Sequence, residues 1–571
     1  MSLRKGIAFL LLLAPFLASA QSKTGASISW STVEAESMLT NGQILGPTYG
    51  PYQVETESSG QRCVKIKGKQ YLEFKAPFKA NSLITRYSLP DTTVGGGTTA
   101  ILIISKNGDL VKELGITSKY AHLYGKYPFT NDPKGEAHRN FYDEVRVKDL
   151  EIEKGDVIRF QLKKDKASTA DHCIIDLVDI ENITPELSKP EQAIALTDTA
   201  IIGKTVPKDY SAALKKCISI ATETGQPIWI PTGTYQLSED IIIPDNIIIK
   251  GSGIWRSTFV GSESLYTDAT KRVRLKGNGS NIHLSDFSII GKLNYRNDNE
   301  SNDGIVGSFG SGSSISNIWI EHTKVGIWVE NSSDLIVEGC RFRNTIADGI
   351  NFCVGITHST IKNCSARGTG DDCFAIWPAA FMEQNYAPGH NLITNCTGEL
   401  PFLANGVAVY GAQSNSVQNC FFKDISPGSA ILISTTFPTS DSSRNIDNNF
   451  TGMTKVTNCS ITTSGGFDHT WDWRGAIEIC LDKKDIDGLW LENIQITNSL
   501  SNAINIRANT DDRINSALTK STFKNITIAN VGLGEQASHE LWISPAARGE
   551  LTIDTEKKMQ VKNEGDGFEV K

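Results

Sequence analysis

The hydrophobic positions of this chain recur in short bursts, and the bursts come in paired phrases. Beyond residue 280 the first phrase of each pair reads L-S-D-F-S-I, I-S-N-I-W-I, V-E-G-C-R-F, I-K-N-C-S-A, I-T-N-C-T-G, V-Q-N-C-F-F, V-T-N-C-S-I, L-E-N-I-Q-I and F-K-N-I-T-I. A second phrase follows most of them: G-I-W-V, G-I-N-F, G-V-A-V-Y, S-A-I-L-I-S, A-I-E-I-C-L and A-I-N-I-R-A. Within a phrase apolar and polar residues alternate, the period-2 signature of strands. The phrases return every ~22–39 residues, a spacing typical of repeat architectures. A single repeat cannot bury its apolar face, but stacked repeats can. The pattern predicts a parallel β-helix with two or three short strands per coil. Insertions of variable length would gather on one side and shape a groove. The L-x-x-L-x-L signature of leucine-rich repeats, the structural rival, is absent.

Two other patterns precede the repeats. Residues 25–183 read as one all-β domain, a sandwich. The runs C-V-K-I from Cys63, Y-L-E-F from Tyr71, A-I-L-I-I from Ala100 and C-I-I-D-L-V-D-I from Cys173 are separated by Gly, Asn and Asp turns. A boundary falls at Thr184-Pro185, and residues 184–195 read as a linker to a repeat domain over 196–571. One amphipathic helix is predicted from Asp209 to Thr224, with Leu214, Cys217, Ile218 and Ala221 on one face and Gly225 as its stop. Such a helix caps the bare edge of a solenoid.

The candidate chemistry lies on two neighbouring coils. Asp348 stands in I-A-D-G-I-N-F and is eight residues after Cys340. Asp372 stands in G-T-G-D-D-C-F and is eight residues after Cys364. That spacing stacks Asp348 over Asp372 at the roughly 4.8 Å separation of neighbouring strands. Asp371 points the other way. Glycosidic hydrolysis needs one acid and one base, and this trio supplies both. Asp348 and Asp372 are expected to hold a water. Asp371 is expected to hold the proton through like-charge repulsion, with acid and base roughly 6.5–9.5 Å apart as inversion requires. Trp377, on the same coil, offers a face for a sugar ring. So do Trp471 and Trp473 in the insertion F-D-H-T-W-D-W-R-G, where Asp468, His469, Asp472 and Arg474 offer partners for sugar hydroxyls.

In the sandwich, Glu34 and Glu36 alternate onto one face of an early strand, and Asp176 and Asp179 lie in the last strand. First and last strands often lie side by side, so Glu34, Glu36 and Asp176 are candidate oxygen ligands for a structural calcium. Tyr120, Tyr124, Tyr127, Phe141 and Tyr142 read as a sugar surface or as the contact with the β-helix.

Charge and cysteine usage narrow the partners. A net charge of −8 argues against nucleic acid or an anionic membrane as partner. The first 20 residues carry a basic start, an apolar run and A-S-A, the pattern of a signal peptide for a secreted or periplasmic protein. The 11 cysteines are odd in number and five of them share one slot of the repeat, so free buried thiols are expected rather than disulfides.

With these residues in hand, the chain resembles glycoside hydrolase family 87, the α-1,3-glucanases and mycodextranases. The resemblance rests on V-E-A-E-S-M-L-T-N-G, on S-K-Y-A-H-L-Y-G-K-Y-P-F with H-R-N-F-Y-D-E-V-R, and on A-D-G-I plus G-D-D. It implies a β-sandwich similar to carbohydrate-binding modules, followed by a right-handed parallel β-helix. It implies inverting hydrolysis of α-1,3-glucan or nigeran, with Asp348, Asp371 and Asp372 as the catalytic aspartates. No catalytic cofactor is implied, and a monomer is expected. The sandwich resemblance also implies a structural calcium near E-A-E. The G-D-D element recurs in polygalacturonases, but their G-H-G and R-I-K motifs are missing here. A β-helix polysaccharide lyase, a polygalacturonase-like hydrolase and a non-catalytic carbohydrate-binding protein are the alternatives.

Overall fold

The computed structural model describes residues 24–125, 129–135, 138–470, 472–511, 515–534 and 538–571. The predicted signal peptide and Tyr127 lie outside the described residues. Two β-domains follow one another along the chain. The first packs a six-stranded against a five-stranded antiparallel sheet. Val64, Ile66, Leu72, Leu102, Phe160, Ile175 and Val178 are fully buried between them. The first strand, Trp30–Glu34, pairs antiparallel with the last, Cys173–Glu181, with Thr32 opposite Asp179.

The second domain is a parallel β-helix, with described sheets of 22 and 13 strands. One residue of each first phrase points inward and stacks on its equivalent in the next coil. Ile315, Val337, Ile361, Ile393, Val417, Val456 and Leu491 form one such column, each fully buried. The repeated N-C dipeptide has a physical reason. Its Asn turns the chain in the left-handed region, at φ 54° for Asn363, 52° for Asn395 and 54° for Asn419 and Asn458; Gly339 takes the same slot at 65°. The following cysteine turns inward, and its thiol donates to the carbonyl two residues back, as Cys420 does to Gln418 at 3.2 Å. All 11 cysteines are free.

The helix spans Ser211–Thr224 and buries Leu214, Cys217, Ile218 and Ala221. Asp209 stands two residues ahead of it and accepts from the Ser211 N–H at 2.8 Å. Gly225, at φ 71°, ends it. The helix lies against Ile228–Ile230 and Asp240–Ile243, covering the start of the β-helix.

Buried ion pairs join the two domains. Arg367 points out of its coil and meets Glu144 at 2.6 Å and Asp179 at 2.7 Å, both in the sandwich, as well as Glu399 at 3.2 Å. Its neighbours on the adjacent coil follow suit, with Arg341 on Glu181 and Arg343 beside Glu144. Tyr120 stacks on His322 at 4.5 Å, and His322 bonds Asp143 at 2.8 Å. Phe141 and Tyr142 are buried within the sandwich side, Tyr142 beneath Arg86. Of the two sequence readings of these aromatics, contact with the β-helix holds for Tyr120.

Candidate active site

The two second-phrase strands Ile350–Phe352 and Phe374–Ile376 pair in parallel with Ile350 opposite Phe374. The same offset places Asp348 over Asp372, and the Asp372 N–H donates to Asp348 Oδ1 at 3.2 Å. Asp371 completes the group, with one oxygen of each carboxylate within 4.8 Å of the others.

The three environments differ. Asp372 is 3% exposed and accepts from the Asn405 backbone and side chain at 3.2 and 2.8 Å and from the Tyr410 hydroxyl at 2.9 Å. Burial, and then the Asp371 charge, push its carboxyl up to about 7. Asp348 is 7% exposed and accepts from Asn351 at 2.9 Å. Burial and the Asp371 and Asp372 charges hold its carboxyl well above the ordinary range. Asp371 is more open and pairs with Arg296 at 2.6 Å. Arg296 is itself fixed by the Gly370 and Ile346 carbonyls at 2.7 and 3.1 Å and by Asp298 at 3.0 Å. Asp371, which the sequence reading makes the proton holder, is the member of the trio that pairs with Arg296.

The trio sits in a cavity of about 470 Å³. One wall is polar and includes Arg296, Asp298, Glu300 and Lys324. The other is aromatic. Trp377 meets Trp328 at 6.0 Å and Phe437 at 5.7 Å, and Phe437 meets Tyr410 at 5.1 Å. Phe437 is 48% exposed at the mouth and Phe381 49%, unusual for such large apolar groups unless a ligand covers them. Among the described residues the trio is the one group of three acids placed to hold a cation. A cation there would compete with Arg296 for Asp371 and with Tyr410 and Asn405 for Asp372.

The insertion after Ser464 behaves differently from the expectation of sugar contacts. Arg474 pairs with Asp468 at 2.6 Å and with buried Glu478 at 3.4 Å, and Arg507 pairs with Asp472 and, at 3.0 Å, with Glu478. Trp473 packs on Phe467 at 5.7 Å. Asp468, Asp472, Trp473 and Arg474 thus close a network around Glu478, and none of them lines the cavity. His469 is largely buried and lies close enough to feel the Asp371 charge, though burial dominates and lowers its basicity. Trp471 lies outside the described residues.

The calcium ligands are also rearranged. The first strand ends at Glu34, and Glu36 sits in a 3-10 turn rather than on the strand face. Asp176 is fully buried with both oxygens engaged, one by the Ser59 N–H at 2.9 Å and the other by Arg86. Glu34 and Glu36 each keep one buried oxygen without a hydrogen bond. Burial, and then the Asp176 charge, push Glu34 up to about 8. Lys423 also lies 3.8 Å from Glu34, so the oxygens left for a hard cation are the unbonded ones of Glu34 and Glu36, while Arg86 already meets the charge of Asp176.

Several site residues escaped the sequence reading. Trp328 and Tyr410 were legible in principle, because G-I-W-V and G-V-A-V-Y are the phrases on coils flanking the aspartates. Arg296 and Phe437 lie in insertions without periodicity, and no local pattern marks them.

Comparisons with known proteins follow this geometry. A family profile described as α-1,3-glucanase catalytic domain D2 matches residues 202–541, and one described as domain D1 matches residues 27–183. The solved Agl-KA catalytic domain is 22% identical, covering 98% of this chain and 100% of that one, with a TM-score of 0.83. The catalytic unit of a thermostable GH87 α-1,3-glucanase from Streptomyces thermodiastaticus strain HF3-3 is 25% identical over 96% of this chain and 97% of that one, with a TM-score of 0.76. A GH87 α-1,3-glucanase catalytic domain bound to tetrasaccharides is 23% identical over 96% and 98%, with a TM-score of 0.78. Its variants bound to tetrasaccharides or nigerose each carry one aspartate-to-alanine change, at three positions of which two are adjacent. Among curated proteins, the pre-neck appendage protein of Bacillus phage B103 is 27% identical over 226 residues, 38% of this chain and 25% of that protein. The chain spans about a fifth to a quarter of the length of the curated relatives it matches.

Proposed function

The chain belongs to the α-1,3-glucanases of glycoside hydrolase family 87, and from that footing we propose that it hydrolyses α-1,3-glucosidic bonds in an α-glucan with water as nucleophile. The observation that carries this reading is the aspartate trio on the floor of an aromatic-walled cavity, two of its members buried with raised carboxyl groups. Asp372 is assigned as the general acid. A group poised near 7 is protonated at mildly acidic pH and still gives up its proton. Asp371, paired with Arg296, is assigned as the base that draws a proton from water. Asp348, raised by burial and by the Asp371 and Asp372 charges, is coupled to Asp372 through space and discourages the two from ionising together. We infer a single displacement with inversion, in which water rather than a carboxylate attacks the anomeric carbon. The interval between the substituted aspartates of the GH87 relative, two adjacent and one ahead, is that of Asp348, Asp371 and Asp372, which supports the assignment.

The test is a product analysis on α-1,3-glucan, nigeran and acidic polysaccharides. Reducing sugar from the first two is expected, with the β-anomer appearing first by NMR. Unsaturated, ultraviolet-absorbing products from the acidic polymers would mean a lyase instead. Stacking of a glucosyl ring on Trp377 predicts that Trp377→Ala raises KM by about three- to tenfold.

A structural calcium is proposed at Glu34 and Glu36, remote from the chemistry. Its loss would leave two buried carboxyl oxygens without partners, so chelation is expected to lower the melting temperature by a few degrees. Equal melting curves with and without chelator would rule it out.

A further inference from the structure

A second cavity adjoins the catalytic one. It measures about 490 Å³ and shares Arg296 and Asp298 with the first, so the two meet across that pair. Each is within the roughly 300–1,000 Å³ range of small-ligand clefts. The far side of the second cavity belongs to the sandwich, where Phe129 and Asn131 face Tyr295, Asn297 and Asn299 of the β-helix.

This wall is firmly placed. Phe129 is 5% exposed and belongs to the hydrophobic core of the β-helix rather than to that of the sandwich, together with Leu123. Phe129 is therefore plugged into the other domain, and the Thr130 N–H beside it donates to the Tyr124 carbonyl at 2.9 Å. Opposite, Asn297 donates to Glu300 at 3.1 Å and the Tyr295 hydroxyl donates to the Thr267 carbonyl at 3.1 Å. Both rims are thus set before any ligand arrives, which lowers the cost of binding one.

The chemistry of the rims fits a neutral polyol. Asn131 and Asn299 are exposed and Asn297 half-buried. The exposed Asn131 and Asn299 amides each offer two donors and an acceptor, a match for vicinal hydroxyls, while Asn297 is engaged by Glu300 and by the Asn299 N–H. The one acid among these lining residues, Asp298, is engaged by Arg296.

We propose that the second cavity is a remote glucosyl subsite of the substrate groove, and that the sandwich domain supplies one of its walls through Asn131. Resting on the proposed α-1,3-glucan hydrolysis, this gives the sandwich a direct part in substrate selection. A long glucan crosses the Arg296–Asp298 pair and reaches both cavities. A short oligosaccharide fills only the one at the aspartates.

The experiment compares wild type with Asn131→Ala and with Asn299→Ala on polymeric α-1,3-glucan and on a short α-1,3-gluco-oligosaccharide. Each substitution is exposed, and melting temperatures serve as the folding control. Loss of one or two hydroxyl contacts is expected to lower kcat/KM on the polymer by about three- to tenfold. The value on the short substrate should stay level. An unchanged polymer-to-oligomer ratio in both variants overturns the subsite. Wild type that cleaves neither substrate overturns instead the hydrolytic reading beneath it.

Discussion

Replacing Asp372 with asparagine is expected to cut hydrolysis of α-1,3-glucan by about a hundred- to ten-thousandfold, the usual contribution of a general acid. The loss should depend on the leaving group. A natural glucosyl leaving group needs the proton, whereas an activated aryl leaving group departs without it, so the variant should retain far more activity on the latter. Equal losses on both would move the acid role away from Asp372. The same variant carries a stability signature. The Asp372 carboxyl rises from 3.8 to about 7 on folding, chiefly through burial. The folded chain therefore holds a proton that the unfolded chain has released between those values, and stability declines as pH climbs through the window. Asparagine, which never ionises, removes that decline. Asp372→Asn should gain melting temperature over wild type at pH 8 relative to pH 5, by a few degrees. Wild-type activity should likewise fall as pH rises through about 7, where the acid loses its proton.

The second large effect concerns the junction of the domains. Arg367→Ala is expected to destabilise the folded chain by about 3–5 kcal/mol, the typical cost of stripping one partner from a buried pair. Arg367 is 1% exposed by side chain, and Glu144 and Asp179 are 0%. Without the guanidinium these two carboxylates, and Glu399 with them, lose a partner in a place water does not reach. Arg343 is a weak substitute, because burial and the Arg367 charge already press it down to about 10. Urea unfolding should show the loss as an earlier midpoint. Arg367→Lys should fall between the two, keeping the charge but losing the planar fork that serves three acids at once. A midpoint unchanged by the alanine variant would show that the ion cluster adds nothing to the junction.

The catalytic geometry has a cost that the sequence hints at. Two adjacent acids and a third one coil above are placed where burial raises two of them, and the adjacent two are held by side chains from elsewhere. Asn405 and Tyr410 come from the next coil, and Arg296 from an insertion far upstream. Such groups are poor for stability and suited to proton transfer.

The sequence by itself determined the β-helix, its coil register and the stacking of Asp348 over Asp372. It could do so because each of these follows from local rules: alternation marks strands, N-C marks the left-handed turn before an inward thiol, and equal spacing from that turn sets the register. Only the tertiary structure decided that Asp371 meets Arg296, 75 residues away from it in the chain. It also decided that Asp468, Asp472 and Arg474 serve a closed ion network, that Asp176 answers to Arg86, and that Phe129 of the sandwich docks in the core of the β-helix. Each of these is a meeting of groups from distant segments, and no periodicity along the chain encodes which of them meet.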